Sequence, residues 1–232
     1  MIEIKKYTTE YPLQMIGELS GICFGANTED IEKNIKRAWD CIDSGHERTE
    51  EFPDIYMVVD GYSAKCLREL YTHIGGAPTR LQESTRYIDY EKRGVPVITP
   101  PSILRSELAS EVWFETIEHI KNGMKKLKEL GIPNEDLTNL LPLAYKSKMV
   151  WKVNLRTLVH FMQMRLCNKS YLEIRNLCKE LKEALSSYSP EWRLLCDVLF
   201  VPKCEQYKYL NNKFCYCNEN KSCGKYPKIK DL

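Results

Sequence analysis

The chain has 232 residues, of which 43% are hydrophobic and 28% charged, and its 34 basic and 32 acidic residues give a net charge of +2. These values are typical of a globular protein and exclude a disordered, collagenous or coiled-coil chain. The balanced charge argues against a nucleic-acid or membrane-surface binder, and no apolar run reaches the roughly 18 residues of a membrane helix. The alternating start at residues 1–7 has no apolar signal-peptide core, which predicts a cytoplasmic protein.

Hydrophobic periodicity and turn residues predict a helix-rich α+β fold with a small, mostly antiparallel sheet in a single domain. Ser63 and Asn154 are predicted helix caps. In the first half of the chain, the pattern predicts a strand at 2–7, helices at 11–20 and 29–43, a strand at 52–60 and a helix at 64–73. A breaker cluster at 75–78, a strand at 85–90 and a proline-marked loop at 96–101 follow. The second half is predicted to contain helices at 103–130, 134–141, 155–166, 170–187 and 190–200, with an extended segment at 149–153.

Composition changes after Pro202, where lysine, asparagine and cysteine replace aliphatic residues. This predicts a domain at 1–202 followed by a Cys/Lys-rich tail at 203–232. Its thiols at Cys204, Cys215, Cys217 and Cys223 suit a structural zinc, but they lack a CxxC pair, so reduced cysteines in a tail are the alternative. Five other cysteines are predicted to be small buried hydrophobes: Cys23, Cys41, Cys66, Cys167 and Cys178.

The segment 71–87 gathers polar side chains around a glycine-rich loop. It carries His73, Arg80, Gln82, Glu83, Ser84 and Arg86. Glycine lets a backbone approach a ligand, and arginine offers a fork that suits phosphate. These features are typical of a nucleotide pocket, although the segment is neither a Walker loop nor a Rossmann fingerprint. A solvated loop with scattered charges is the alternative.

The segment 151–166 predicts a helix with a functional flank. Asn154 is the predicted cap, and Leu155, Leu158, Val159, Met162 and Leu166 form the core stripe. Arg156 and His160 are one turn apart on one flank, and a helix start flanked by Arg and His suits an anionic ligand. The alternative is that His160 is a satisfied, partly buried histidine and that Arg165 is a salt-bridge partner. Because no nucleophile constellation emerges, an enzyme built on this chain would take its chemistry from a cofactor.

Together the two segments resemble the flavin-dependent thymidylate synthases. The first half carries Gly45-His46-Glu47, then His73, then Ser84-Thr-Arg86-Tyr87. The second half carries Leu141-Pro-Leu143, Trp151-Lys-Val-Asn154-Leu-Arg156-Thr-Leu158, Phe161-Met-Gln-Met-Arg165 and Leu172-Glu-Ile174. The resemblance covers roughly residues 1–200, in the family's order.

The chain departs from the family pattern at several positions. The family's Arg-His-Arg triplet aligns with Thr72-His73-Ile74, so both arginines are lost, and Arg80 in the enlarged loop would restore one charge. Lys148 replaces a phosphate-binding Arg and loses the bidentate fork. His160 replaces an Asn and Lys169 replaces a His, so the chain resembles a divergent branch.

The resemblance implies that FAD carries the redox chemistry, methylenetetrahydrofolate donates the carbon, NADPH reduces the flavin, and dUMP becomes dTMP. It implies that Arg165 is catalytic and pairs with the uracil carbonyl edge, favouring ionisation of N3. The implied nucleotide-binding residues are Glu69, Arg80, Gln82, Glu83, Ser84, Thr85, Arg86, Lys148 and Arg165. The implied FAD-binding residues are His46, Arg48, His73, Gln82, Asn154, Arg156, His160 and Lys169.

The resemblance also implies a homotetramer with sites at subunit interfaces. Two alternatives stay open. One is a related flavoenzyme acting on another pyrimidine nucleotide, motivated by the lost arginines. The other is a non-catalytic nucleotide-binding or interaction protein that has lost the flavin.

Overall fold

The computed structural model describes residues 1–73, 79–208, 214–228 and 230, without the side chains of Glu91 and Tyr207. Its sheet is antiparallel and four-stranded, with the spatial order β1-β2-β4-β3. The strands are β1 (Ile2–Ile4), β2 (Asp54–Ser63), β3 (Thr79–Gln82) and β4 (Lys146–Asn154). Buried residues alternate along β2 at Ile55, Met57 and Val59, as expected for a strand with one face in the core.

Helices make up most of the remaining regular structure, which confirms the predicted helix-rich α+β class. They are α1 (Pro12–Cys23), α2 (Ile31–Asp43), α3 (Ala64–Leu70), α4 (Tyr90–Arg93), α5 (Pro101–Leu104), α6 (Glu107–Glu129), α7 (Asn134–Leu137), α8 (Leu155–Arg165), α9 (Leu172–Tyr188) and α10 (Pro190–Leu199). Short 3-10 helices lie at Glu47–Glu51, Thr138–Leu140 and Lys203–Lys208. Among the described residues, no helix is long and apolar enough to cross a membrane.

The chain divides into two compact units. The first comprises residues 1–58, 73–80 and 150–232, and its core includes the fully buried Trp151, Phe161 and Trp192. The second comprises residues 59–72 and 81–149. One of its apolar clusters is formed by Tyr90, Val95, Met124 and Leu137. The predicted boundary at residue 202 stays a prediction.

Side-chain caps fix where the site-bearing helices begin. The Ser63 hydroxyl accepts a hydrogen bond from the Cys66 amide at 3.1 Å, and the Asn154 side-chain oxygen accepts one from the Thr157 amide at 2.9 Å. Each bond satisfies an amide that the first helical turn leaves without a partner. Both predicted caps are therefore confirmed, and Asn154 sets the register of α8.

The helix α1 is held by two distant contacts within the first unit. Its side-chain cap comes from α10, where the Glu191 carboxylate accepts from the amides of Leu13 at 2.7 Å and Gln14 at 3.2 Å. Gly17 lies against α2, where an added Cβ would come within 1.8 Å of the Asn34 carbonyl oxygen. Only glycine allows this approach of the two helices.

Several predicted elements are wrong in position or type. The strand predicted at 85–90 is absent from that described stretch, because the Asn134 side chain holds its carbonyls in a turn. The helix predicted at 103–130 begins at Glu107 instead, since the Ser106 hydroxyl accepts from the Ala109 amide. The short α5 begins at Pro101, the last residue of the proline-marked loop. The breaker cluster predicted at 75–78 falls on residues 74–78, which lie outside the described residues.

The prediction for the five scattered cysteines is correct in part. Cys41, Cys66 and Cys178 are buried. Cys23 is exposed because it is the last residue of α1, where its thiol faces the helix's own Leu19 carbonyl. Cys167 is half-buried because it lies in the loop after α8.

Candidate functional site

The helix α8 presents a polar flank over a buried stripe. Leu155, Leu158, Val159 and Met162 are buried as predicted, and Leu166 is half-buried. The burial of this stripe turns Arg156 and His160 outward, and both are exposed. Asn154 is buried and its oxygen is used as the cap. The predicted core stripe is therefore confirmed at four of its five positions.

His73 lies against α8. With His160 and Arg165 of that helix it makes up the first group of predicted site residues. Its ring is 4.9 Å from the Phe161 ring and 5.6 Å from the His160 ring, between centroids. It is 8% exposed, and its Nε2 has no hydrogen-bond partner among the described residues. Burial, followed by the positive charges of Arg165 and His160, lowers the pKa of His73 to about 4. The imidazole is therefore neutral at physiological pH and available for a hydrogen bond to a ligand.

Arg156 is paired with two carboxylates. Its Nε and Nη2 lie 3.2 and 3.0 Å from one Glu47 oxygen, and its Nη1 pairs with Glu51. Hydrogen bonds to Glu51 and Glu47 raise the pKa of Arg156. These glutamates lie on the 3-10 helix that follows His46 and includes Arg48, both of which are exposed. An anionic ligand at Arg156 would have to displace or bridge these acidic side chains.

A neighbouring open cavity has an acidic wall. Glu47 and Glu50 line it together with Val159 and Gln163 of α8. Glu50 is buried, and burial, reinforced by the charge of Glu47 and opposed by that of Arg156, raises its pKa to about 7. Asp43 also lines the cavity, and three acidic groups make it unsuitable for the phosphates of a nucleotide.

The second group of predicted site residues lies in the second compact unit. Its members are Gln82, Glu83, Ser84, Thr85, Arg86 and Lys148. The Glu83 amide donates to the Lys148 carbonyl at 2.9 Å. The Gln82 amide group is held at both ends: its oxygen accepts from the Tyr71 hydroxyl at 2.8 Å, and its nitrogen donates to the Ser147 hydroxyl at 3.3 Å. The side chain of Gln82 is thus fixed in orientation before any ligand binds.

Asn134 organises the turn that carries Ser84, Thr85 and Arg86. Its side-chain nitrogen donates to the carbonyls of Thr85, Arg86 and Ile88 at 3.2, 2.8 and 3.1 Å. The Ser84 hydroxyl accepts from the Arg86 amide at 3.3 Å. This role of Asn134 is not evident in the sequence, where the residue marks only the start of a short helix after Pro133.

Ion pairs set the charge of this second group. Lys148 lies 3.0 Å from Asp60, Arg93 lies 2.6 Å from Glu83, and Arg86 lies 3.0 Å from Glu135. Burial tends to raise the pKa of Asp60, but hydrogen bonds and charge from Lys148 and Lys146 outweigh it and lower the pKa. Lys148, Glu83 and Arg86 are predicted site residues, whereas their partners Asp60, Arg93 and Glu135 had no signal in the sequence.

The remaining predicted site residues are Glu69, Arg80 and Lys169. Glu69 is half-buried at the end of α3, and Arg80 is half-buried on β3. Lys169 is exposed, and its backbone amide contacts the Cys167 sulfur at 3.5 Å. Among the described residues, no three His, Cys, Asp or Glu side chains are gathered closely enough to hold a metal ion. The zinc predicted for the tail therefore stays a prediction.

Comparisons with known proteins identify relatives across most of the chain. Residues 7–191 match the family model described as thymidylate synthase complementing protein. A flavin-dependent thymidylate synthase of Pyrococcus furiosus is 29% identical over 196 residues, covering 83% of this chain and 78% of that protein. One of Pyrococcus horikoshii is 31% identical over 183 residues, covering 78% of this chain and 73% of that protein.

Solved structures with the same fold include enzymes bound to nucleotides. The Helicobacter pylori flavin-dependent thymidylate synthase complexed with FAD and dUMP has a TM-score of 0.62 at 21% identity, covering 90% of this chain and 99% of that one. A UMP/dUMP methylase of Streptomyces cacaoi bound with 5-Br dUMP has a TM-score of 0.69 at 16% identity, covering 87% of this chain and 96% of that one.

Proposed function

Because the chain belongs to the flavin-dependent thymidylate synthase family, we propose that it converts dUMP to dTMP with bound FAD. Methylenetetrahydrofolate is the proposed carbon donor and NADPH the proposed reductant. The observation that carries this proposal is the buried, neutral His73 with an open Nε2 beside His160 and Arg165. The proposal includes a cytoplasmic location.

The first group of residues fits a flavin. The His73 imidazole is buried and neutral, and its Nε2 is available for a hydrogen bond. It therefore suits the polar edge of a flavin, whose ring system is otherwise largely apolar. Exposed His160, His46 and Arg48 add polar and cationic contacts for the rest of the molecule. When bound, FAD would supply the redox chemistry, which agrees with a sequence in which no nucleophile constellation was recognised.

The second group fits a pyrimidine nucleotide. Gln82 presents an amide held from two sides, and the turn of Ser84, Thr85 and Arg86 is fixed by Asn134. Arg86 and Lys148 supply the positive charge for the phosphate. Each is paired with a carboxylate, Glu135 and Asp60 respectively, which the phosphate would displace. Such preorganisation reduces the ordering cost of binding.

Arg165 is the proposed catalytic residue. It ends α8, and its positive charge acts on the neighbouring His73. A fixed cation beside the uracil carbonyl edge would stabilise negative charge that develops when N3 loses its proton. The chain's own contribution to the reaction is thus electrostatic and positional.

The proposal is tested by turnover of the Arg165→Ala variant. Since the cation would act on developing charge, dTMP formation should fall about 100-fold or more, while the absorption of bound FAD should persist. Arg193→Ala is the matched control, because Arg193 is exposed on α10 in the same unit. Full turnover of Arg165→Ala would contradict the assigned role.

A second candidate substrate follows from the altered motif around His73. Thr72 stands where the family has an arginine, and Lys148 is paired with Asp60. The change at position 72 removes a positive charge, and lysine at position 148 keeps the charge but lacks the bidentate fork of an arginine, at positions implied to contact flavin or phosphate. Turnover assays with dUMP, UMP and dCMP in parallel separate the candidates, and a preference for UMP or dCMP would replace dUMP as the substrate. Binding without turnover of any of them would favour the non-catalytic alternative.

We also propose that the chain assembles as a homotetramer with sites at subunit interfaces. Leu108 and Val112 lie one turn apart on α6 and are 74% and 64% exposed. Leu104, at the end of the neighbouring α5, is 58% exposed. An apolar patch of this kind is typical of a protein interface.

A further inference from the structure

Three lysines of α6 line one open cavity in the second compact unit. Lys121, Lys125 and Lys128 follow one another at spacings of four and three residues, so their side chains leave the same face of the helix on successive turns. Like charges at these spacings repel one another. The helix thus concentrates positive charge along about 10 Å of its length.

The helix dipole explains only part of this row of lysines. A helix end attracts cations within its last turn, which accounts for Lys128, since α6 ends at Glu129. Lys121 and Lys125 lie before that turn. Their presence on the same face therefore needs another reason.

The ion pairs around the cavity leave an excess of positive charge. Lys128 lies 3.1 Å from Asp89, which also lines the cavity, and Lys121 pairs with Glu118 one turn earlier on α6. Among the described residues, Lys125 has no salt-bridge partner. Three lysines against one aspartate leave the described wall with a net charge of +2.

The floor of the cavity is the apolar cluster of the second unit. Tyr90, Val95, Met124 and Leu137 all line it, and each is buried. A buried apolar floor keeps water from one side of the lysines, which strengthens their attraction for an anion. It also offers a surface on which a flat ring can pack.

The cavity is adjacent to the second group of predicted site residues but separate from it. Asn134 lines the cavity, while its side-chain nitrogen donates to the carbonyls of Thr85 and Arg86. The described lining includes neither Arg86 nor Lys148, which would hold the phosphate of the substrate. A ligand on the α6 lysines would therefore use other cations than the substrate does.

We propose that Lys121, Lys125 and Lys128 form a second anion site, which binds an oligophosphate chain such as that of a nucleoside triphosphate. Such a chain carries several negative charges and reaches cations on successive helical turns. A single phosphate or carboxylate could reach all three lysines only by drawing like charges together, which costs energy. Lysine binds phosphate as a point charge, and carboxylates match the planar fork of arginine better. The site is independent of the proposed enzymatic function.

The test is isothermal titration calorimetry of the full chain with inorganic triphosphate and with ATP, in buffer free of divalent cations. The expected result is saturable binding whose affinity falls about 10-fold or more in Lys121→Ala and in Lys125→Ala, because each variant loses one charge-assisted contact. Lys126→Ala is the matched control and should keep the affinity, since Lys126 is exposed on the same helix but lies off the cavity. Tighter binding of ATP would identify a nucleoside phosphate as the ligand, and equal affinities would assign the phosphate chain alone.

Three results would overturn the site. They are no binding of either compound, equal weakening by Lys125→Ala and Lys126→Ala, and binding of citrate as tight as that of inorganic triphosphate. Lys148→Ala separates this site from the substrate group and should keep the affinity for triphosphate. Loss in Lys148→Ala with retention in Lys125→Ala would place the anion among the substrate residues instead. Since the titrations need neither FAD nor turnover, a failed enzymatic proposal leaves their result unaffected.

Discussion

Glu50 is a buried carboxyl group within a cluster of charged side chains. Burial, with the charge of Glu47, raises its pKa from 4.5 to about 7. The unfolded chain therefore releases this proton at lower pH than the folded one. The stabilisation that comes from the stronger proton binding of Glu50 in the folded state is complete below pH 4.5, and it is lost as the pH rises through about 7.

Glu50→Gln should stabilise the protein at pH 8 by about 2–3 kcal/mol, because a neutral amide avoids the buried charge. At pH 4 the two proteins should have similar free energies of unfolding, since the carboxyl group is then protonated in both states. Urea unfolding at pH 4, 6 and 8 measures the difference. Glu18→Gln on the exposed face of α1 is the control, and an equal pH response in both variants would contradict the argument.

At the scale of elements, the close packing of α1 on α2 depends on Gly17. An added Cβ would meet the Asn34 carbonyl oxygen at 1.8 Å, and backbone cannot yield as a flexible side chain can. Gly17→Ala should therefore lower the free energy of unfolding by about 3 kcal/mol, as measured by denaturant titration.

Gly123→Ala on α6 is the matched control for this glycine. Its nearest neighbour for an added Cβ is Leu140 Cδ1 at 3.7 Å, an ordinary contact. Alanine there should stabilise the helix by about 0.5–1 kcal/mol. If the two substitutions changed the free energy of unfolding by similar amounts, the close packing of α1 on α2 would not be what requires glycine at position 17.

The local elements were largely predictable from the sequence, because caps and periodicity act over a few residues. The buried stripe of α8 and its Asn154 cap are examples. The hydrogen-bond and ion-pair partners of the site residues were not predictable, because they lie far apart in the chain. Arg156 pairs with Glu47 across 109 residues, and Asn134 contacts Thr85 across 49.

At the scale of the whole molecule, the exposed apolar patch of α5 and α6 predicts assembly. Leu108→Asp would place a charge in the proposed interface, where burying it without a partner is costly. The expected result is a smaller native mass by light scattering. Leu130→Asp is the control, because Leu130 is 77% exposed at the other end of α6. An unchanged mass for Leu108→Asp would exclude this patch from the interface.

The central claim is that one chain binds both a flavin and a pyrimidine nucleotide. The most direct measurement is the visible absorption spectrum of the purified protein, recorded after addition of FAD and removal of the unbound excess, then during titration with dUMP. We predict a retained oxidised-flavin spectrum that dUMP perturbs in a saturable way. A protein that retains no flavin under these conditions would contradict the account, and His73, Arg156 and His160 would then be structural residues.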